Sequence, residues 1–494
     1  MPTLTIYGGG APRTLEFAAP APLGELLEKA GASPARPCGG RGQCGKCTVT
    51  VMGSLSAPTE SELRARSRLA CQTVLLGDAQ VYLPQRSVWR QIELGSDRPH
   101  AAEKPMPGAY GAAIDIGTTT VALKLFDLHT GRCIGTGGMP NPQGCVAADV
   151  MGRIGAAMAG RLDAMQEQIT AALNALLICA CAESGTDPQD VESLSITGNT
   201  TMLYLLTGRD TRCLSCAPFE ADTLFDTETV LLGRRAYLPP CMNAFVGADI
   251  SCAVLASGMC RSQATALLCD VGTNGEIALW HGGTLYVTST AAGPAFEGAG
   301  ISCGCGSVDG AIDRVWDEDG ALAIHTIGGA QPVGLCGSGL IDAVAAFLER
   351  EDISPTGAAD GPLCLCEGVS LQPADIRAVQ LAKAAIAAGI EVLMQRAGVS
   401  AEDIDLFAIA GGFGSHLNLQ SAAAIGLFPP ALAARAKVIG NAALDGAAML
   451  LVNTDAVDEI RSIAARARPI PLSGDPAFND AYIEHMLFGD PDEF

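Results

Sequence analysis

The chain has 494 residues, of which 48% are hydrophobic and 58 are glycine, so it is globular and too long for one compact core; we expect two to four domains. Its formal net charge of −22 argues against nucleic acid as a partner. The start has no basic segment followed by an apolar one, no apolar run could span a bilayer, and 19 cysteines are present, which together predict reduced thiols in a cytoplasm and no membrane insertion.

The first 92 residues predict a small domain built on a β-sheet. Residues 4–17 alternate apolar and polar side chains around a glycine turn, which is typical of a β-hairpin, and residues 22–30 have helical spacing. A strand at 47–53, a short helix at 61–70 and closing strands at 71–84 are predicted to follow.

Three cysteines lie within the glycine-rich stretch PCGGRGQCGKCTV, at Cys38, Cys44 and Cys47, and Cys71 follows 24 positions later. A [2Fe-2S] cluster requires four thiolates, and such closely spaced cysteines supply three of them from one loop. Glycines let the loop turn sharply and leave backbone N–H groups free to point at the cluster sulfurs. We therefore predict a [2Fe-2S] cluster on these four cysteines. A zinc site, which usually uses paired C-x2-C motifs, and plain reduced thiols are the alternatives.

The order of these elements and cysteines resembles the β-grasp fold of [2Fe-2S] ferredoxins over about the first 92 residues. The first gap of C-x5-C-x2-C is one residue longer than the plant-type gap and is similar to that of the adrenodoxin-like branch.

Charge is distributed unevenly along the chain. Residues 1–95 carry a net charge of +3, which leaves −25 for the remainder. This asymmetry favours docking of a mildly basic electron-transfer domain on an acidic body; the alternative is that both surfaces are simply solvated. Residues 95–110 are rich in proline, alanine and charge without periodicity, which is typical of a linker.

A strand, turn and strand with a phosphate-binding composition follow the linker. In AAIDIGTTTVALKLF an apolar strand leads to Asp115 and then to a turn with Gly117, Thr118, Thr119 and Thr120. Backbone N–H groups at such a turn form a nest for anions, threonine hydroxyl groups add donors, and an aspartate can hold Mg²⁺ through water. We predict a phosphate site here; a structural hairpin rich in glycine and threonine is the alternative.

The same pattern recurs 155 residues later. LLCDVGTNGEIALW places Asp270, and then Gly272, Thr273, Asn274 and Gly275, in the same context of strand, turn and strand. Two similar halves predict a duplicated domain with a ligand held between them.

A third glycine cluster ends the apolar strand of DLFAIAGGFGSHLN. Gly411, Gly412, Phe413 and Gly414 stand between this strand and a helical segment. Glycines at this point would let adenine or ribose lie against the backbone beside a helix N-terminus, so we predict nucleoside binding there.

The two Asp-Gly-Thr turns and the distal GGFG resemble the phosphate and adenosine motifs of the superfamily of sugar kinases, actin and heat-shock ATPases. More closely, DIGTTT, ITGNTTM, DVGTNGE, AGPAFEG, CGSGL and AGGFG behind a [2Fe-2S] domain resemble the ATP-dependent reductive activators of corrinoid proteins, the RACo family. This resemblance covers essentially the whole chain. It implies a multidomain α/β protein, with a β-grasp ferredoxin domain and a duplicated, RNase H-like ATPase fold.

The resemblance also implies a division of the chain and roles for its motifs. The expected parts are a ferredoxin-like domain at 1–92, a linker at 93–110, ATPase lobe 1 at 111–262 and ATPase lobe 2 at 263–494. ATP and Mg²⁺ would bind between the lobes. Asp115 and Asp270 would position Mg²⁺ and the attacking water, the adjacent turns would hold phosphates, and Gly411, Gly412, Phe413 and Gly414 would face the adenosine.

The function implied by the resemblance is reductive activation of a corrinoid protein. In corrinoid methyltransferases cobalt must be Co(I) to act as a nucleophile, and occasional oxidation leaves inactive Co(II). The cluster would return one electron to that cobalt, with ATP binding and hydrolysis coupled to it through lobe closure. The implied partners are the corrinoid protein of a methyltransferase system, such as an O-demethylase that this protein would activate, and an upstream electron donor; a homodimer is left open.

Three further features each have two interpretations. The helix after CGSGL, residues 336–340, would aim its N-terminus at phosphate or would use its glycines for close packing between lobes. In ITGNTTM, Asn199, Thr200 and Thr201 cap a helix that begins near Met202, or also face the cleft. Glu276 polarises water or is a solvated surface residue.

The remaining cysteines form close pairs. Cys213 and Cys216 are spaced C-x2-C. Three other pairs are spaced C-x-C: Cys179/Cys181, Cys303/Cys305 and Cys364/Cys366. None has a second close pair at metal-binding spacing, so we expect buried small hydrophobic side chains rather than a second metal centre.

Two other functions fit parts of the sequence. An activator of a radical dehydratase would share the ATPase fold, but those relatives carry a [4Fe-4S] cluster between two protomers, which the N-terminal [2Fe-2S] pattern argues against. A small-molecule kinase gated by the redox state of a fused cluster would use the same nucleotide motifs to phosphorylate its substrate.

Overall fold

The structure is a computed structural model, and it describes residues 1–7, 12–34, 36, 40–42, 46–65, 67–83, 94–95, 104–412 and 416–489. Cys38, Cys44, Phe413 and Gly414 lie outside the described residues. The predicted domain boundaries after residues 92, 110 and 262 stay a prediction.

The N-terminal domain is a sheet in the order β2-β1-β6-β4-β5, with β3 also paired to β6. Its elements are β1 (Thr3–Tyr7), β2 (Arg13–Glu16), β3 (Ala21–Pro22), α1 (Leu23–Lys29), β4 (Thr48–Leu55), α2 (Glu60–Ala65), β5 (Arg68–Leu69) and β6 (Val74–Tyr82). The predicted hairpin and first helix are confirmed. The second helix is shorter than predicted, because Arg68–Leu69 pairs with β4 and the Glu62 carboxylate accepts hydrogen bonds from Leu69 N and Thr73 Oγ1.

The first lobe of the body is a sheet in the order β11-β12-β10-β7-β8-β9. Its strands are β7 (Tyr110–Ile116), β8 (Thr120–Asp127), β9 (Arg132–Pro140), β10 (Val191–Gly198), β11 (Thr227–Leu231) and β12 (Arg234–Leu238). Its helices are α3 (Val150–Ala156), α4 (Leu162–Ser184), α5 (Thr200–Leu206) and α6 (Ala248–Ser257).

The second lobe is built on a sheet in the order β22-β21-β13-β14-β15-β23. In chain order its strands are β13 (Ala266–Val271), β14 (Gly275–His281), β15 (Thr284–Thr290), β16 (Ala311–Glu318), β17 (Ala321–Thr326), β18 (Gly334–Leu335), β19 (Leu363–Cys366), β20 (Val369–Leu371), β21 (Leu406–Ala410), β22 (Ala436–Gly440) and β23 (Ala467–Pro469). Its helices are α7 (Gly337–Glu349), α8 (Pro373–Ala397), α9 (Leu419–Ala424), α10 (Pro430–Ala433), α11 (Ala442–Val452), α12 (Ala456–Ala465) and α13 (Pro476–Glu484).

The two lobes repeat one topology. In each, three strands form an antiparallel meander, and a later strand adds in parallel to the first of them: β10 beside β7 and β21 beside β13. The duplicated α/β fold predicted from the two Asp-Gly-Thr turns is confirmed. The turns follow corresponding strands, so they meet from opposite sides of the space between the lobes.

A separate apolar core joins the lobes. It contains residues of β7, β8, α6, β13, β14 and α11, together with the buried Met106 from the segment before β7. Helices α6 and α11 cross here in backbone contact: a Cβ added to Gly446 would lie 2.1 Å from the carbonyl oxygen of Cys252. Glycine is therefore required where the lobes meet.

Among the described residues, one segment has the length and apolarity of a membrane-crossing helix, Val150–Ser184, with a mean hydropathy of 1.2. The backbone leaves helical geometry inside it, with φ +87° at Gly160. Its longer part, α4, buries Met165, Ile169 and Leu173 in the core of the first lobe. We therefore assign it as a core helix.

Candidate nucleotide and cluster sites

A cleft between the lobes contains most of the predicted nucleotide-binding residues. Those that line it are Asp115, Gly117, Thr118, Thr119, Thr120, Asp270, Gly272, Thr273, Asn274, Gly411 and Gly412. Gly275 has a packing role instead, because a Cβ there would lie 2.7 Å from both Ile386 Cγ1 and Thr290 Oγ1.

The first turn is held in place by buried polar side chains. Asn441, which caps α11, donates through Nδ2 to Asp115 Oδ2 at 3.0 Å. Asn199 Nδ2 donates to Thr118 Oγ1 at 3.1 Å, and the fully buried Arg153 donates to the carbonyl oxygen of Thr118 at 2.5 Å. Burial lowers the pKa of Arg153 to about 10, so it stays a cation at neutral pH. The turn is therefore preorganised.

The second turn is tight, because Gly272 N donates to the carbonyl oxygen of Asn274 at 3.0 Å. Gly411 approaches it from the end of β21: its φ is +100°, and an added Cβ would lie 2.5 Å from Asp270 Oδ1. The glycine predicted to face adenosine thus also makes room for the aspartate of the phosphate turn.

Glu297 joins the two turns. Its Oε2 accepts hydrogen bonds from Thr119 Oγ1 at 2.5 Å and from Thr273 Oγ1 at 2.6 Å, and its Oε1 accepts one from Thr273 N at 3.1 Å. These donors are of the kind that bind phosphate oxygens. The carboxylate of Glu297 therefore lies between the two turns and accepts hydrogen bonds from both lobes, in the place where the sequence predicts a phosphate group.

Two more acidic residues, Asp249 and Glu276, share the cleft. Asp249 lies in the first turn of α6, and Glu276 faces Asp270 across the β13 and β14 ladder and is 7% exposed. The surface alternative for Glu276 is therefore wrong.

Crowding of these carboxyl groups in a buried cleft shifts their pKa values upward. Burial raises the pKa of Asp115 to about 6; burial, then Asp115 and Glu297, raise that of Asp270 to about 7. Burial, then Asp115 and Asp270, raise the pKa of Asp249 to about 8, and burial, then Asp249 and Asp270, raise that of Glu276 well above its usual range. A divalent cation would favour the ionised forms.

These residues suit a magnesium ion held through water. Within the described ranges, no three His, Cys, Asp or Glu side chains converge closely enough to bind a metal directly. Mg²⁺ usually retains several waters and takes its other oxygens from one or two carboxylates and substrate phosphates. Asp115 and Asp270, beside the two phosphate turns, match that coordination.

The structure places both motifs that the sequence left open at the cleft and also gives each a packing or capping role. Asn199 Oδ1 accepts from Met202 N at 2.9 Å and caps α5, while its Nδ2 bonds to the phosphate turn. The start of α7 lines the cleft at Cys336, Gly337 and Ser338, while a Cβ on Gly339 would lie only 2.1 Å from the carbonyl oxygen of Ile312.

The described part of the predicted cluster site brings two cysteines together. Cys47 is fully buried, and its Sγ lies 3.3 Å from Cys71 Sγ. Because the Cys47 thiol donates to it, the pKa of Cys71 is lowered to about 6, which favours the thiolate that binds iron. Gln72 Nε2 donates to the carbonyl oxygen of Gly40 at 2.8 Å and so fixes the glycine-rich loop beside Cys71. This pair fits an iron–sulfur cluster.

The N-terminal domain contacts both lobes of the body. Lys46, next to Cys47, donates through Nζ to the carbonyl oxygen of Gly304 in the second lobe at 2.7 Å. On the first lobe, Glu28 pairs with Arg161 and lies 3.4 Å from Gln168 Nε2. The N-terminal domain therefore contacts the body, but not by the predicted attraction of a basic domain to an acidic body: in the ion pair the domain supplies the acidic Glu28 and the body the basic Arg161. Docking driven by the charge asymmetry stays a prediction.

Sequence reasoning missed Asp249, Glu297 and Asn441 as site residues. The signal for Glu297 was its place in the motif AGPAFEG, and that for Asp249 was a Gly-Ala-Asp sequence at the start of a helix. Asn441 precedes a helix as an ordinary cap does. Nothing local indicates that these three converge.

Family models match three consecutive parts of the chain. Residues 7–76 match a 2Fe-2S iron-sulfur cluster binding domain, residues 110–262 the RACo middle region, and residues 264–493 the C-terminal domain of RACo, described as the ASKHA domain. A [2Fe-2S] domain joined to a two-lobed ATPase thus defines the class of protein.

Similar proteins narrow this class. The chain is 33% identical over 432 residues, 78% of its length and 71% of the other, to the corrinoid activation enzyme RamQ of Eubacterium limosum. It is 26% identical over 424 residues to the [Co(II) methylated amine-specific corrinoid protein] reductase of Methanosarcina barkeri, covering 77% of each chain. A solved reductive activator for a corrinoid iron-sulfur protein superposes with a TM-score of 0.72 and 26% identity over 98% of both chains. The chain belongs to the RACo family of reductive activators of corrinoid proteins.

Proposed function

We propose that this protein is an ATP-hydrolysing iron–sulfur reductase that returns the cobalt of a corrinoid protein from Co(II) to Co(I). The observation that carries the proposal is the link between two sites: the phosphate turns of both lobes meet at Glu297, and the iron–sulfur domain rests on both lobes beside that cleft. The relatives named as corrinoid activation enzyme and Co(II) corrinoid protein reductase support the substrate class.

For ATP, the chain supplies donors from both lobes. Gly117, Thr118, Thr119 and Thr120 would hold phosphate oxygens from one side, and Gly272, Thr273 and Asn274 from the other. Asp115 and Asp270 would orient the waters around Mg²⁺ and the water that attacks the terminal phosphate. Gly411 and Gly412, with Phe413 and Gly414 beyond the described residues, would face the adenosine. Because each lobe contributes one turn, phosphate binding draws the lobes together.

For the cluster, we assign Cys38, Cys44, Cys47 and Cys71 as ligands. When bound there, the cluster would supply one electron for the reduction of Co(II) to Co(I) on the partner; plant-type [2Fe-2S] centres have a potential of about −400 mV. Each ~59 mV of uphill transfer costs about 1.4 kcal/mol, so binding energy from the nucleotide site has to favour the reduced product or its release.

We further propose that the protein works in a cytoplasm, without membrane or nucleic acid. Its electron acceptor is the corrinoid protein of a methyltransferase system, and a separate low-potential carrier reduces its cluster. The net charge of −22 and the lack of disulfide bonds among the described cysteines agree with this setting.

The test is a visible-spectrum assay under anaerobic conditions. Chemically reduced protein is mixed with a Co(II) corrinoid protein of the same organism and ATP, and the absorption of Co(I), or of its methylated product, is recorded over time. We expect product with ATP and little with ADP or without nucleotide. If every corrinoid protein of the organism remains Co(II) in the presence of ATP, the proposal is wrong.

The kinase alternative is distinguished in the same samples. Phosphate released from ATP in the wild-type reaction is expected to appear as inorganic phosphate. A phosphorylated small molecule in place of inorganic phosphate would support a redox-gated kinase instead.

A further inference from the structure

One contact of the N-terminal domain, that of Lys46, lies at the end of a continuous path of contacts that starts in the phosphate turns. Glu297 accepts one hydrogen bond from Thr119 of the first lobe and two from Thr273 of the second, and so bridges the two lobes. The residue after it, Gly298, packs on the loop that carries Gly304. That loop in turn receives Lys46 of the iron–sulfur domain.

In the middle of this path the backbone of Gly298 packs directly on the backbone of Gly304 and Cys305, with no space for a side chain between them. A Cβ on Gly298 would lie 2.3 Å from the carbonyl oxygen of Cys305, and a Cβ on Gly304 would lie 2.3 Å from that of Gly298. Cys305 N also donates to the carbonyl oxygen of Leu335 at 2.8 Å, which ties the loop to the strand before α7. Because packed interiors transmit displacement, movement of Glu297 has to move Gly304.

The loop also borders the cleft directly. Cys305, Gly306 and Ser307 line the space where the phosphate turns meet, while Gly304 faces the iron–sulfur domain. Residues 304–307 therefore lie between the predicted nucleotide site and Lys46, the residue next to Cys47.

The first-lobe contact is an ion pair between Glu28 and Arg161, whose side chain is 38% exposed. Glu28 pairs with Arg36 at 2.8 Å within its own domain and with Arg161 of the body, and the side chains of Glu28 and Arg36 are 18% and 11% exposed. The iron–sulfur domain is thus held to one lobe through Glu28 and to the other through Lys46. A change in the angle between the lobes cannot preserve both contacts.

We propose that nucleotide binding releases the iron–sulfur domain from the body through Glu297 and the loop that carries Gly304. The direction follows from the donors: the hydroxyl groups of Thr119 and Thr273 and the N–H of Thr273 serve Glu297 in this structure, and a nucleotide phosphate requires the same groups. Two anions cannot share them, so Glu297 leaves the turns, Gly304 shifts, and the contact with Lys46 is lost. The docked position of the domain and a phosphate group on these donors therefore exclude each other, and the domain is free to reach its partner when ATP is bound.

This inference rests on the nucleotide site and the cluster domain of the proposed function, but it needs no corrinoid protein, so its test uses the full-length protein with its cluster alone. Hydrogen exchange is measured at α1 and around Arg161, both outside the cleft, with and without a non-hydrolysable ATP analogue. Displacement of a fluorescent nucleotide gives the affinity in the same samples. Wild type is expected to exchange faster at both places when the analogue is bound.

Two variants test the contacts. Coupling between two sites is reciprocal, so if nucleotide binding weakens docking, loss of docking must strengthen nucleotide binding. Lys46→Met and Glu28→Gln should exchange rapidly without nucleotide, and should bind the analogue about fivefold more tightly, since docking no longer competes. Lys29→Met, at an exposed lysine of the same domain, should match wild type. Visible absorption checks that each variant retains its cluster.

Two results would overturn the inference: slower exchange at α1 when the analogue binds, or unchanged nucleotide affinity in both Lys46→Met and Glu28→Gln. A protein that passes this test and yet reduces no corrinoid protein would disprove the proposed function alone.

Discussion

Lys124 of β8 donates a hydrogen bond to Asp445 of α11 at 2.8 Å, across the core that joins the two lobes. Their side chains are 3% and 9% exposed. Both charges are thus removed from water, and each depends on the other and on neighbouring polar groups.

Lys124→Met is expected to lower the free energy of unfolding by about 3–5 kcal/mol, because Asp445 would remain as a buried charge without its cation. Urea denaturation measures the loss. Lys104→Met, which removes an exposed pair with Asp455 at 2.7 Å, should cost less than about 1 kcal/mol.

The double variant Lys124→Met/Asp445→Leu distinguishes two causes of the loss: removal of the ion pair, and burial of the Asp445 charge without Lys124. It should recover more than half of the loss, since an apolar pair of similar volume replaces an ion pair. A double variant as unstable as Lys124→Met alone would contradict this account.

Gly446→Ala is expected to force α6 and α11 apart, because the new Cβ would lie 2.1 Å from the carbonyl oxygen of Cys252. We predict a loss of about 1–3 kcal/mol in unfolding free energy and weaker ATP binding, since the two lobes no longer meet in register. Gly155→Ala is the control: it lies in α3 with open space around it and should stabilise by about 0.5–1 kcal/mol. Equal effects at both positions would refute the prediction.

Thr273→Val is expected to weaken ATP binding about tenfold, because its hydroxyl group would otherwise donate to a charged phosphate oxygen. Equilibrium binding of a fluorescent ATP analogue measures the change. Thr284→Val, at the start of β15 and away from the cleft, should bind as wild type does. Unchanged affinity in Thr273→Val would show that the Thr273 hydroxyl group does not bind phosphate.

Lys383 is fully buried in α8, and burial lowers its pKa to about 7. Its ammonium group donates to the carbonyl oxygen of Leu487 and lies 5.6 Å from the ring centre of Phe488. Between pH 7 and about 10 the folded state binds fewer protons at this lysine than the unfolded state, whose pKa is about 10.4, so stability rises with pH over this range. Below pH 7 both states are protonated and the full cost of the buried charge remains.

Thermal midpoints measured from pH 7 to 10 test this. Lys383→Met should show a smaller rise than wild type, whereas Lys437→Met, at an exposed lysine of β22, should keep the wild-type slope. Parallel curves for Lys383→Met and wild type would show that this lysine is not the source.

Cys47→Ser and Cys71→Ser should each lose most of the bound iron and the visible absorption, because each removes one of the four proposed ligands, and the two Sγ atoms lie 3.3 Å apart. Wild type should contain two irons and two sulfides per chain by chemical analysis. Cys364→Ser, at an exposed cysteine of β19, should retain both. Four or more irons in wild type would contradict a single [2Fe-2S] cluster.

Much of the site followed from local pattern. Each Asp-Gly-Thr turn needs only its own strand and its own glycine, so Asp115 and Asp270 could be placed at the ends of matching strands, just before the turns, from the sequence alone. The hairpin and helix of the N-terminal domain follow from alternation and helical spacing in the same way. Helix α2 was predicted too long, because the pairing of Arg68–Leu69 with β4 is a contact between distant segments.

The sequence by itself determined that this chain carries a cysteine-rich cluster loop and a duplicated phosphate-binding fold, because glycine, threonine and cysteine at fixed short spacings have few local conformations. Only the tertiary structure decided that Glu297 joins the two turns, that Asp249 and Glu276 are buried beside them, and that Lys46 rests on Gly304. Those contacts bring together residues up to 258 positions apart. Their distances depend on how whole lobes pack, which no local pattern encodes.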